Sequence, residues 1–409
     1  MDKPLRSLYI CYLSLEDPLV HTQVVAYLAG LAERGHLIHL LTYDRPLSPG
    51  RRAELERKLG EAGIVWHSLR YHQWPSLPAT VYDVLRGAIT AVRLVRRFAL
   101  DAVHARNHVP LATALIARSV TRCKLIFDIR GLMAEEYVDA GRWRAGGVPF
   151  LLTKRVQAVG VGTADGIVTL TRAVQPHLFG PEPPSHAHVI PCCADLEALD
   201  AQADRREAVR RDLGIADRRV IVYVGKFTGW YMEREMAEFF AAARRVDPTV
   251  FFLILTQADR DLIRRELARA GVPEADYTIT QAPPEEVGAY LAAGDLGISF
   301  IRRCFSKISS SPTKIGEYLG AGVPVVSTSG IGDVDRLLGN GWTGVLVDRF
   351  ERDAFEACAA RALELSAQRD TRIRCRALAG TELGLQEIGI PRYDRLYRQV
   401  AASADARTA

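Results

Sequence analysis

The residues best suited to chemistry in this 409-residue chain are two lysines, each placed where a strand gives way to a helix. Lys314 lies in Ser309-Ser310-Ser311-Pro312-Thr313-Lys314-Ile315-Gly316-Glu317, and Lys226 in Val224-Gly225-Lys226-Phe227-Thr228-Gly229. Ser311 suits a helix N-cap and Pro312 the first helical position; Gly320 and Gly322 would end the helix before an apolar strand at 323–326. A lysine in the first turn faces the positive end of the helix dipole, which is locally unfavourable. A bound anion reverses that sign, because open backbone N–H groups and the ammonium then converge on it. The competing reading pairs Lys314 with Glu317 one turn later. Gly225 lets the backbone approach an anion and Lys226 could neutralise it, so two lysines at two strand ends favour a diphosphate, as in a nucleotide ligand.

A second loaded segment is Phe127-Asp128-Ile129-Arg130-Gly131-Leu132-Met133-Ala134-Glu135-Glu136. Asp128 and Arg130 sit at a strand end, where loops of parallel sheets line ligand sites. His104, Arg106 and His108 end the preceding strand and could face the same place. The alternative is an Asp–Arg pair that stitches a loop together. Other patterns fall away. Gly160-Val161-Gly162-Thr163-Ala164-Asp165-Gly166 follows a helix and precedes a strand, the reverse of a dinucleotide fingerprint, and there is no Walker A sequence. Asp259-Arg260-Asp261 and Asp333-Val334-Asp335 read as helix starts rather than metal sites, and the histidines lack zinc spacing.

The elements that must position these residues alternate between apolar runs and helical periods, which argues for mostly parallel α/β sheets. Strands are expected at 8–13, 37–42, 64–69, 102–105, 125–129 and 166–170. Helices are expected at 22–34, 52–62, 81–98, 111–120 and 147–159. The run Phe179-Gly180-Pro181-Glu182-Pro183-Pro184-Ser185 breaks the pattern, and Val189-Ile190-Pro191-Cys192-Cys193-Ala194-Asp195 marks a boundary. The alternation restarts with strands at 220–224, 250–255, 277–280, 296–300 and 344–347. Its helices fall at 232–246, 259–270 and 284–292. Tyr393, Leu396, Tyr397 and Val400 make one apolar face of a tail helix, with fraying expected over 403–409. The expected domains are 1–191, an acceptor-side Rossmann-like domain; 192–385, a nucleotide-sugar-binding one; and 386–409, a tail packing back on the first. Two such domains would face a cleft.

Composition sets the setting. No run has the apolar length of a membrane span, Met1-Asp2-Lys3-Pro4 carries no signal-peptide pattern, and seven scattered cysteines suit reduced cytoplasmic thiols. Residues 1–190 hold 23 Lys and Arg against 16 Asp and Glu, a surplus of +7, while the remainder is at −2. A basic first half points to a membrane surface, a phosphate-bearing acceptor or nucleic acid, or is a solvated face with no partner. Arg86, Arg93, Arg96 and Arg97 share a helix with Leu85, Ile89, Val92 and Val95, which fits an anionic membrane; the more economical reading packs that helix on its own sheet.

On these residues the chain resembles the GT-B glycosyltransferases, specifically glycosyltransferase family 4. Residues 189–195 look like the family's interdomain VIPNGVD segment. Tyr223-Val224-Gly225-Lys226 looks like its YVGR loop, and residues 311–326 resemble the variant S-P-T-K-x-x-E-Y-L-x-x-G-x-P-V-V. The resemblance implies that Lys226 binds the donor diphosphate and Glu317 the ribose of a nucleotide sugar. Gly225, Ser309, Ser310, Ser311 and Thr313 would line the donor, and Lys314 and Asp128 would join Lys226 as catalytic groups. Arg130, His104 and Glu135 would serve the acceptor. Many members have a glutamate where Ser309 stands, and a catalytic histidine about where Asp128 stands.

The implied reaction moves a sugar from a nucleoside diphosphate to a glycan, lipid-linked sugar or small molecule. It would proceed with retention, without metal or other cofactor and without nucleic acid, in the cytoplasm or at the inner face of a membrane. A sugar-nucleotide epimerase on the same scaffold and a non-catalytic nucleotide-sugar-binding subunit are the alternatives.

Overall fold

The computed structural model describes residues 3–227 and 229–405. The chain forms two compact units, one of residues 3–191, 305–310 and 389–405, the other of 192–304 and 311–388. The first differs from a simple N-terminal domain by taking in a segment from late in the chain. In that segment Ser306 N–H donates to Asp139, Lys307 Nζ to Glu136 at 3.1 Å, and Thr171 Oγ1 to the Ile308 carbonyl. These bonds explain why 305–310 leaves the second unit.

The first unit is built on a seven-stranded parallel sheet in the order β3-β2-β1-β4-β5-β6-β7. The strands are β1 Arg6–Cys11, β2 Leu37–Asp44, β3 Ile64–Arg70, β4 Ala102–Arg106, β5 Lys124–Ile129, β6 Gly166–Thr169 and β7 Ala187–Val189. The central strands are almost wholly buried, as parallel strands covered on both faces must be. Helices α1 Ala26–Glu33 and α2 Pro49–Glu61 follow β1 and β2; α3 Ser76–Arg97, α4 His108–Thr121, α5 Met133–Asp139 and α6 Val148–Thr163 lie between β3 and β6. Right-handed crossovers that all step the same way along the sheet place α3, α4 and α6 on one face. Their inner sides join one core, which includes Ala91, Leu94, Ala114 and Ala117, with Val156 and Val161 packed against it.

The tail helix Ile390–Asp405 returns to this unit, with Ile390 against Gly30 and Leu396 and Val400 against Gly166. Residues 403–405 are helical in it, and 406–409 lie outside the described residues, as does Thr228 of the Gly225 loop.

The second unit repeats the plan with six parallel strands in the order β10-β9-β8-β11-β12-β13. These are β8 Arg219–Val224, β9 Val250–Leu255, β10 Tyr277–Thr280, β11 Leu296–Ser299, β12 Val325–Thr328 and β13 Gly344–Val347. Its helices include α7 Glu233–Val246, α8 Arg260–Arg269, α9 Val287–Ala293, α10 Thr313–Gly320, α11 Arg352–Ala367 and α12 Thr371–Glu382. Strand order reverses direction between β8 and β11, the point where open α/β sheets bind ligands beyond their strand ends. The fold is therefore α/β, with two Rossmann-like units.

Candidate functional site

Lys226 and Lys314 meet at this switch point of the second unit. Val220, Ile221, Val222 and Tyr223 are fully buried, and the strand they form turns at Gly225, whose φ of +115° only glycine adopts freely. Lys226 follows, exposed, and enters no ion pair with a carboxylate among the described residues. Helix α10 follows β11 and is fixed by Tyr318, whose ring lies against Gly297 and whose hydroxyl accepts from Val224 N–H at 3.0 Å and donates to the Ile298 carbonyl. A Cβ at Gly297 would come within 2.7 Å of that ring, so glycine is needed for the approach.

The start of α10 departs from expectation. Ser311 does not cap it. Its Oγ accepts from Cys192 N–H at 3.1 Å, and Pro312 occupies the cap position with no side-chain bond to the helix. The strand that follows starts at Val325, two residues late, because Gly322 turns at φ +76°.

Lys314 is 4% exposed and does not form the surface pair with Glu317. Its ammonium sits 4.1 Å from the ring centroid of Tyr223 and 3.9 Å from that of Tyr231, and donates to Tyr223 Oη at 3.0 Å. The Tyr223 hydroxyl in turn donates to the Lys226 carbonyl, so one chain of hydrogen bonds ties the buried lysine to the loop of the exposed one. A Cβ on Gly225 would lie 3.5 Å from Lys314 Nζ. Burial pushes the Lys314 ammonium down to about 7, with Glu317 pulling the other way. Burial also raises the half-buried Glu317 carboxyl, opposed by Lys314. A cation held by two aromatic faces rather than by a carboxylate is positioned without being neutralised. Thr313, half-buried, opens the helix beside it.

The remaining candidates belong to the first unit. Asp128 and His104 are fully buried. Tyr393 Oη of the tail helix donates to Asp128 Oδ2 at 3.0 Å, and Tyr397 Oη lies 2.9 Å from His104 Nδ1. His104 Nε2 stands 3.8 Å from Asp128, beyond hydrogen-bonding range. Burial alone would raise the Asp128 carboxyl, but Arg130, His104 and Arg106 bring it net below the usual value; burial lowers His104 despite Asp128. Arg130 is held 3.7 Å from Asp128 and 3.4 Å from Gln23. Glu135 accepts from Lys154 at 2.6 Å, on a helix that the sequence patterns left unpredicted. His108 is buried between Asn107 and Gln157.

Ser309 is buried in the first unit, its hydroxyl accepting from Leu132 N–H at 3.2 Å and donating to the Ser306 carbonyl at 2.7 Å. Ser310, half-buried, hydrogen-bonds back to Lys307 in the same segment. The structure thus gathers Gly225, Lys226, Thr313, Lys314 and Glu317, with Ser311 behind them.

A family model described as Glycosyltransferase Family 4 matches residues 20–198, and a second, Glycosyl transferases group 1, matches residues 218–365. The chain is a family 4-like glycosyltransferase of the GT-B fold. The glycosyltransferase of Rickettsia africae superposes with a TM-score of 0.72 at 14% identity, covering 97% of this chain and 99% of that one. Anabaena HepE, solved with UDP and glucose, gives 0.67 at 14% over 98% and 99%. Sucrose-phosphate synthase of Thermosynechococcus elongatus gives 0.70 at 15% over 97% and 100%. At such identities the likeness is one of fold. No curated protein matches the sequence significantly.

In this glycosyltransferase the sequence patterns passed over Tyr223 and Tyr231, the two rings that hold Lys314. Tyr223 was visible as a strand residue of the YVGK loop, but its partner depends on how α10 docks on β8, which no local pattern encodes.

Proposed function

We propose that the enzyme transfers a sugar from a nucleoside-diphosphate sugar to a glycan, lipid-linked sugar or small molecule in glycan or glycoconjugate biosynthesis, with retention and without a metal or other cofactor. The observation that carries this reading is the buried Lys314 ammonium, held by Tyr223 and Tyr231 under the Gly225 loop and beside exposed Lys226. As the glycosidic bond breaks, negative charge develops on the departing diphosphate. Lys226, Lys314 and the amides at the start of α10 would stabilise it, and preorganised donors of this kind act more strongly in the transition state than in the ground state. Glu317, one turn further, would accept from ribose hydroxyls. Peripheral contact of the basic first unit with the inner face of a membrane belongs to the same reading.

The test is release of nucleoside diphosphate from a panel of nucleotide sugars, with and without EDTA, followed by NMR of the product's anomeric configuration. Lys314→Ala is expected to lower kcat by roughly 10²–10³ with the fold retained by circular dichroism. Near-normal turnover of that variant would sink the assignment of Lys314. Turnover abolished by EDTA, or an inverted product, would overturn the metal-free and retaining parts.

A further inference from the structure

We propose that the outer face of the α3, α4 and α6 layer is a monotopic docking surface for an anionic lipid bilayer, with α3 lying in the interface. The inference deepens the membrane contact proposed above and rests on no part of the sugar-transfer chemistry.

Helix α3 has apolar side chains on two opposite sides. Its sheet-facing side is small, with Ala79, Gly87, Ala88 and Ala91 buried, ahead of Leu94 and Val95. The larger groups Leu77, Val81, Leu85 and Ile89, spaced four apart, face outward with exposures of 49, 47, 52 and 55%. They run for about 18 Å along the helix. Tyr82 and, just ahead of the helix, Trp74 at 84% exposure extend this side. The same outward row then continues into Arg93, Arg96 and Arg97, all exposed. The next two helices of the layer, α4 packed beside α3 and α6 packed beside α4, also expose apolar groups. Ile116 and Val120 of α4, and Val148, Leu151 and Leu152 of α6, are exposed. Large apolar groups clustered on one face of a folded unit mark a surface that something covers.

Charge identifies what covers it. The three helices carry Arg86, Arg93, Arg96, Arg97 and Arg155, besides Arg118 and Lys154, which pair with Asp165 and Glu135 of neighbouring segments, and the helices' one carboxylate, Asp83, is fully buried. A second copy of the chain would set arginine against arginine across a two-fold interface, with no exposed carboxylate on these helices to relieve it. An anionic bilayer satisfies both features. Its acyl boundary takes the leucine and isoleucine row, its headgroup level suits Trp74 and Tyr82, and its phosphates meet the arginines.

The full chain is sedimented with vesicles of phosphatidylglycerol and phosphatidylcholine in equal parts, with vesicles of phosphatidylcholine alone, and without vesicles, with no nucleotide sugar present. Binding is expected only to the anionic vesicles, weakening as salt rises. Leu85→Glu with Ile89→Glu should abolish it at any salt, with Tm unchanged because both side chains are exposed. Arg93→Glu with Arg96→Glu should lower the partition coefficient by roughly 25-fold or more. Trp74→Phe should remove a blue shift in tryptophan emission on vesicle addition. Absence of binding at low salt, equal binding to neutral vesicles, or binding by the Leu85→Glu/Ile89→Glu variant as by the parent would each overturn the proposal. So would concentration-dependent dimerisation that Ile89→Glu abolishes, which would assign the face to a second copy. Failure here leaves the transfer reading standing, since release of nucleoside diphosphate is measured separately, without vesicles.

Discussion

Lys314 is both buried and unneutralised, and each property has a measurable consequence. Its folded value near 7 lies below the ordinary lysine value of 10.5. The unfolded chain therefore binds more protons between those limits, so this residue's contribution destabilises the fold below pH 7 and its penalty fades as pH rises towards 10.5. Lys314→Met should accordingly raise Tm most at or below pH 7, which thermal melts across pH will report. A diphosphate reverses the balance by favouring the charged form. Binding of a nucleoside diphosphate at pH 8 should then take up protons, seen by calorimetry in two buffers of different ionisation enthalpy, and the uptake should vanish in Lys314→Met. The buried Asp128 is the first unit's counterpart. Tyr393→Phe removes the donor to Oδ2 and should cost about 1–3 kcal/mol in urea unfolding, since it leaves a buried carboxylate oxygen unmet.

At the scale of elements, the β8 turn and helix α10 work as one device. Gly225→Ala places a Cβ both in an unfavourable backbone region and 3.5 Å from Lys314 Nζ. It should lower stability by about 1–3 kcal/mol and weaken nucleotide binding more than Lys226→Ala does at equal stability, as read from urea midpoints and titration calorimetry. Most strands of both sheets were legible from buried apolar runs, and their limits moved by only one or two residues. The strand Ala187–Val189 and helix Met133–Asp139 were not, because a three-residue edge strand and a seven-residue acidic helix carry too few periods to stand out. The lysines of the second unit were legible because strand ends and glycine turns are local features. The burial of Asp128 and His104 was not, although the tail's apolar face was evident, because the strand on which Tyr393 and Tyr397 land depends on tertiary docking. The outward row of α3 shows the same limit: periodicity reveals apolar positions, but not which side the sheet takes.

At the scale of the whole molecule, neither unit is one continuous stretch of chain. Ending the protein at Ile388 would strip Ile390, Tyr393, Leu396, Tyr397 and Val400 from the first unit, uncovering Gly30, Gly166, His104 and Asp128. The truncated protein should lose the most stable part of its hydrogen-exchange protection in β1, β4, β5 and β6, while β8, β9 and β11 retain theirs. Mass spectrometry of exchanged peptides distinguishes this from uniform loss.

The discontinuity also sets an order of events during synthesis. Chains emerge from the ribosome amino end first, and domains commonly fold in that order. Here the unit that contains the first residues described also needs 305–310 and 389–405, whereas the other has all its residues by 388. Of the two units, the one begun first is completed last, and its sheet waits with His104 and Asp128 uncovered until the helix Ile390–Asp405 leaves the exit tunnel.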